Sequence, residues 1–292
     1  MPLWFRKVVG ASLFPLALTV GASGCAALQS LDETGTAEGK TERETVDPHE
    51  FDTGQYGGVV LEDPDDRRNI QGFVYLSLAW GTHLEPAFPR AIASLGRAVN
   101  SYTRMRAKVM DHTFLSSTEL FRRPFVYIAT KDAFELTGEE VENLGRYMRN
   151  GGFVVADNGR PDLSYGPAEA SLREMFAQAL GREGKLVKIS DRHPIYRSFF
   201  DLNGPPFGGD RVSFGGAQLD TLQRPPRVEH LEGIFLDGQL VAVYSDMGYG
   251  GFWEQSFENE PQLKMGVNLV VYALTRKGSM ARPLQSLLQL PD

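Results

Sequence analysis

Between residues 73 and 189 apolar strand-like runs alternate with amphipathic helical segments, and this alternation restricts the chain to parallel-sheet α/β folds. Residues 73–79 are β-rich and almost continuously apolar, which suits a strand buried on both faces. Residues 88–102 carry Ile92, Leu95, Val99 and Tyr102 at helical spacing. Residues 108–110 read as a second strand and residues 125–129, introduced by Pro124, as a third. Thr137 and Glu140 form a capping box. The helix they open sets Val141, Leu144, Tyr147 and Met148 on one face. It stops at Asn150-Gly151-Gly152, where glycine admits a left-handed turn. Residues 153–156 make the next strand, ending at Asp157. A helix over 168–180 halts at Gly181, and residues 186–189 follow as a strand. The pattern predicts a parallel sheet with helices on both faces.

From Phe207 glycines cluster and the rhythm changes. Residues 233–244 read as a hairpin turning at Asp237-Gly238. Pro261 opens a last helix to about residue 275, and residues 277–292 read as a loosely attached tail.

The first residues read as an address. Arg6 and Lys7 precede an apolar run, Val8 to Val20, too short to span a bilayer comfortably. Ala22-Ser23-Gly24-Cys25 resembles the bacterial lipobox, in which the thiol is diacylated and the chain is cut before the cysteine. Residues 1–24 are therefore expected to be a lipoprotein signal peptide, with Cys25 carrying the membrane lipid on the periplasmic side of a cell envelope. Cys25 is the only cysteine, so neither a disulfide framework nor a cysteine-rich zinc site is available. Ala26 in the following position favours sorting to an outer membrane where one exists. Residues 26–70 hold twelve acidic and four basic side chains, and the reading for residues 25–70 is a disordered, solvated tether. The formal net charge of −7 belongs to it, leaving residues 71–292, with the domain at 71–276, nearly neutral. Such a charge balance excludes nucleic acid as a partner.

Five segments carry a resemblance: Arg123-Pro124-Phe125-Val126-Tyr127-Ile128, Leu136-Thr137 with Glu139-Glu140, Gly151-Gly152-Phe153 running to Asp157, His193-Pro194-Ile195-Tyr196, and Gly266-Val267-Asn268 with Tyr272-Ala273-Leu274. Over roughly residues 70–276 the chain resembles the bacterial domain-of-unknown-function 4159 family. The resemblance implies a flavodoxin-like three-layer sandwich of the class I glutamine-amidotransferase kind, here with an added hairpin region and a C-terminal helix. Amidotransferases of that fold use a cysteine on a strand-to-helix elbow. The corresponding bend here follows Ile128-Ala129-Thr130, reads Lys131-Asp132-Ala133-Phe134 and holds neither Cys nor Ser. A thiolate mechanism is excluded, because the only thiol is at Cys25.

Open α/β sheets bind ligands beyond the carboxyl ends of their strands. The candidate rim residues are Trp80 and His83 after the first strand, Asp111 and His112 after the second, Thr130 after the third, Asp157 and Asn158 after the fourth, and His193 after the fifth. Trp253, in a glycine-flanked aromatic group with Tyr249 and Phe252, is read either as a stacking surface or as a plug of the core. No catalytic residue, metal ligand or cofactor is assigned. Two functions remain open: a non-catalytic envelope lipoprotein that binds a ligand or an envelope protein, and a metal-assisted hydrolase of an envelope substrate at the His/Asp rim. Convergence of His83, Asp157 and His193 on one point distinguishes them.

Overall fold

The computed structural model describes residues 46–110, 112–214, 220–224, 228–255 and 259–289. In chain order the elements are β1 (Gly58–Leu61), β2 (Gln71–Trp80), α1 (Ala91–Tyr102), β3 (Arg104–Val109), β4 (Thr113–Phe114), β5 (Phe125–Thr130), α2 (Gly138–Arg149), β6 (Phe153–Asn158) and α3 (Pro167–Leu180). They continue with β7 (Val187–Lys188), β8 (Asp210–Phe214), β9 (Asp220–Arg224), β10 (Glu232–Leu236), β11 (Gln239–Ser245), α4 (Tyr249–Trp253), α5 (Glu260–Thr275), β12 (Arg282–Pro283) and α6 (Leu284–Leu287).

β2 pairs in parallel with β3 on one side and with β5 on the other, β5 with β6, and β6 with β11. The parallel strands thus lie in the spatial order β3-β2-β5-β6-β11, the flavodoxin-like doubly wound order, which reverses direction between β2 and β5. β10 and β7 extend the sheet antiparallel beyond β11, and β8 and β9 pair antiparallel as a two-stranded sheet. β5 and β6 are buried at every position because helices cover both faces. Against one face Ile92, Leu95 and Val99 of α1 share a core with Val267, Val270 and Val271 of α5. Against the other, Leu144, Tyr147 and Met148 of α2 pack with Leu172, Met175 and Phe176 of α3. This is a mixed α/β protein in three layers, with no closed barrel among the described residues.

The capping box forms as read: the Thr137 hydroxyl accepts from the Glu140 amide, and the Glu140 carboxylate accepts from the Thr137 amide at 2.9 Å. Gly151, just past the end of α2, has φ +93°. A Cβ there would lie 2.2 Å from the Gly278 carbonyl oxygen. The Arg276 guanidinium reaches the same corner and donates to the carbonyls of Gly151 and Gly152, placing positive charge at a helix C-terminus.

Several boundaries differ from the sequence reading. Residues 46–70 do not form a solvated tether. A short 3₁₀ turn at Pro48–Phe51 leads to β1, which pairs antiparallel with β2 and buries Val59 and Val60. Asp52 accepts from the Tyr75 hydroxyl at 2.6 Å and pairs with Lys108 at 2.6 Å, so part of the acidic stretch is used inside the fold. The folded part therefore includes residues that were assigned to the tether. Residues 281–287 are likewise no loose tail: β12 pairs in parallel with β1, and Leu284 closes over Val59, Phe73 and Tyr75. The expected strand at 108–110 begins earlier, at Arg104, and the one at 186–189 shrinks to β7. Phe88 lies outside α1 in a left-handed conformation. Cys25 and the signal segment lie outside the described residues.

Candidate functional site

The strand order reverses between β2 and β5, so the crevice expected of an open sheet lies beyond Trp80 and Thr130. The chain after β2 is fixed there by Glu140. Its fully buried carboxylate accepts from the Thr82 amide at 2.6 Å and the Thr82 hydroxyl at 3.0 Å, besides closing its own capping box. His83 is thereby carried on a held loop, with its ring exposed. After β5, Thr130 turns the chain: its hydroxyl accepts from the Asp132 amide and donates to the Asp132 carbonyl. The next residues are pinned to α3, where the Phe134 amide donates to the Ser171 hydroxyl at 3.0 Å. Between these supports opens a cleft of about 770 Å³. His83, residues 133–136 and the Ala170, Ser171, Glu174, Met175 and Gln178 face of α3 line it.

A second polar group lies deeper, at the carboxyl ends of β6 and β11. The Asp157 carboxylate accepts from the Tyr127 hydroxyl at 3.1 Å, the Tyr249 amide at 3.2 Å and the Gly250 amide at 2.7 Å, and it also receives a bond from Ser245. It thus closes the N-terminus of α4, a short helix that starts from Gly248 in the left-handed region. Burial raises the Asp157 pKa from 3.8 to about 6, the hydrogen bonds offsetting only part of the desolvation. Beside it Asn158 donates to the Asp246 carboxylate at 2.6 Å and accepts from the Arg160 amide at 2.9 Å. Phe88 lies over this group, so close that a Cβ on Gly250 would meet both its ring and the Tyr127 hydroxyl. The Lys131 ammonium sits 4.6 Å from the centre of the same ring.

Of the rim residues read from the sequence, only His83 lines the large cleft. Trp80 gathers the His112 ring at 4.6 Å and the Phe114 ring at 6.4 Å. Asp111 lies outside the described residues. Thr130, Asp157 and Asn158 are buried and hold turns, so they offer no binding surface. His193 is a correction of place. Its ring packs on Phe235 and on Tyr272, which itself meets Phe153, the first residue of β6, so His193 stands toward the amino ends of the strands. Its Nδ1 accepts from the Ile195 amide, capping a short 3₁₀ turn, and burial lowers its pKa. Trp253 is also corrected: the indole is fully buried, stacks near Tyr127 and Tyr249, and donates to the Gln262 carbonyl at 2.8 Å. It plugs the core. Among the described residues no three His, Cys, Asp or Glu side chains group as metal ligands. The cleft walls on α3 were not singled out in the sequence. Ser171, Glu174 and Gln178 fall at i, i+3 and i+7, one helical face.

A reversing parallel sheet, helices on both faces and a cleft near the reversal define an open doubly wound α/β protein. The chain belongs to the family described as domain of unknown function DUF4159, whose model matches residues 73–274, from β2 through nearly all of α5. None of the curated proteins matches it.

Proposed function

We propose that the chain is an envelope lipoprotein, held to the membrane by acyl chains on Cys25, whose domain binds a ligand or an envelope partner without transforming it. The position of the cleft carries this reading: its lining takes His83 after β2 and residues 133–136 after β5, the two strands between which the order reverses, together with α3, and doubly wound sheets receive their ligands near such a reversal. The lipobox-like residues before Cys25 support the anchor. A non-catalytic, amidotransferase-like domain accounts for the bend after β5, which has no thiol and whose Thr130 hydroxyl is committed to its own turn. The metal-assisted hydrolase is the weaker reading, because His83, Asp157 and His193 do not converge on one point. Asp157 spends its oxygens on the core, His83 faces solvent, and His193 stands toward the opposite end of the sheet.

The test has two arms. Intact-mass analysis of membrane-extracted protein should find a diacylglyceryl modification, which Cys25→Ser removes. Ala170→Trp places an indole in the cleft from an exposed position on α3. Mass spectrometry of molecules co-purifying with the protein from envelopes should show a species retained by wild type and lost in that variant. Unmodified Cys25 would overturn the anchor, and identical co-purifying species at equal thermal stability would overturn the cleft.

A further inference from the structure

The cleft shares an acidic lining with a smaller recess of about 290 Å³ that holds Asp191 and Glu229, and differs in charge from two others. A second recess, at the opposite end of α2, is lined by Arg149, Arg276 and Lys277 together with Glu183 and Asp237, so both signs meet there. A third, between α1 and α5, is lined by both Arg97 and Glu254. The cleft beyond β2 and β5 has two carboxylates, Glu135 and Glu174, the imidazole of His83, and among the described residues no lysine or arginine in its lining. Both carboxylates are exposed. Glu174 accepts a hydrogen bond from Gln178 at 2.9 Å, a neutral partner, and forms no ion pair among the described residues. Between the two carboxylates lies an apolar floor of Phe134 and Met175, both buried, with Leu136 at its margin.

The walls are held in place before any ligand arrives. Ser171 ties residue 134 to α3, and Glu140 ties Thr82 and so the loop of His83. A preorganised site loses little ordering entropy on binding. An apolar floor under negative charge selects a group that is apolar along its stem and positive at its end. The chain's own segment after Cys25 does not match this chemistry: between residues 26 and 45, Asp32, Glu33, Glu38, Glu42 and Glu44 outnumber Lys40 and Arg43.

We propose that this cleft binds an organic cation, a protonated amine or a guanidinium carried on an aliphatic stem. The proposal rests on the reading of the cleft as the binding site and adds the class of ligand to it. The stem covers Met175 and Phe134, and the cationic head lies between Glu135 and Glu174.

Methionine methyl groups report on the floor directly. The full chain, labelled with ¹³C at its methionine methyls, is titrated with n-pentylammonium, with pentanoate and with pentanol. The Met175 signal is assigned by its absence in Met175→Leu, and the buried Met265 of α5 serves as a remote control. Pentylammonium should shift Met175 saturably, with Met265 unmoved, and pentanoate should not. Glu135→Gln with Glu174→Gln should weaken pentylammonium binding about fivefold or more, as expected for two exposed ion pairs together. Both residues are exposed, so the double variant should keep the wild-type spectrum elsewhere. Two results overturn the proposal differently. If pentanoate or pentanol moves Met175 as well as the amine does, the cleft binds but does not select a cation. If none of the three moves it, the cleft is no site for small amphiphiles, and the reading beneath the proposal falls with it.

Discussion

Asp157 keeps a carboxylate in the core because hydroxyls and backbone amides converge on it from β5, β11 and α4. Desolvation still outweighs those bonds and lifts its pKa from 3.8 to about 6. The folded state therefore binds a proton more tightly than the unfolded chain. The associated stability is fully present below the unfolded value and is lost as pH rises through about 6. Asp157→Asn removes this titration. The stability of wild type relative to Asp157→Asn, measured by urea unfolding, should rise by about 2–3 kcal/mol between pH 7 and pH 4. A difference that stays flat across that range would show that the carboxylate is not desolvated. Trp253 gives a sharper test of place. Because its ring is wholly buried and its N–H is satisfied by Gln262, truncation to Ala should cost roughly 3–5 kcal/mol. A cost under about 1 kcal/mol would return it to a surface role.

The junction of α2 and β6 depends on one backbone angle. Gly151 stands at φ +93° with the Gly278 carbonyl where a side chain would begin, so Gly151→Val meets both a forbidden conformation and a clash. It should lower stability by at least about 2 kcal/mol, read as a shift in the denaturant midpoint, and an unchanged midpoint would mean that the corner adjusts freely. This helix stop was legible in the sequence because its determinants are local: Asn150-Gly151-Gly152 after a full helical period. So were α2, α3, α5, β5 and β6, whose apolar patterns run long enough to show a period. β1 was not. Its two buried valines sit in a charged stretch, and what buries them is register with β2 and β12, contacts made far along the chain. The cleft was half legible. Its location follows from strand order, which gave His83, but its α3 wall reads as an ordinary solvent face until the 133–136 loop is seen opposite it. His193 was misplaced because the chain after β7 turns back toward the amino ends of the strands instead of ending at the rim.

At the scale of the whole molecule, the segments on either side of the family match meet each other. β1 precedes residue 73, β12 and α6 follow residue 274, and the two ends pair at Val59 with Arg282 and Val60 with Pro283. Leu284 then seals Val59, Phe73 and Tyr75 into a small cluster of their own, on an edge of β2 that β5 leaves open. The ends therefore act as one clasp. Removing either should expose the apolar surface that the other covers. A chain beginning at residue 71 loses β1, leaving Phe73, Tyr75 and Leu284 without Val59 and β12 without a strand to pair with. Burying two valines contributes about 1.5–3 kcal/mol each, so this chain should be less stable than one beginning at residue 46 by roughly 3–6 kcal/mol. Leu284→Ala in the longer chain should cost about 2–4 kcal/mol through the same cluster. In the chain beginning at residue 71 that substitution should cost much less, because its partner is already gone; this non-additivity is what identifies a clasp. Urea unfolding of the four proteins, with and without residues 46–70 and with Leu or Ala at position 284, measures it. Equal costs of Leu284→Ala in both backgrounds would make the two ends independent additions to the sheet.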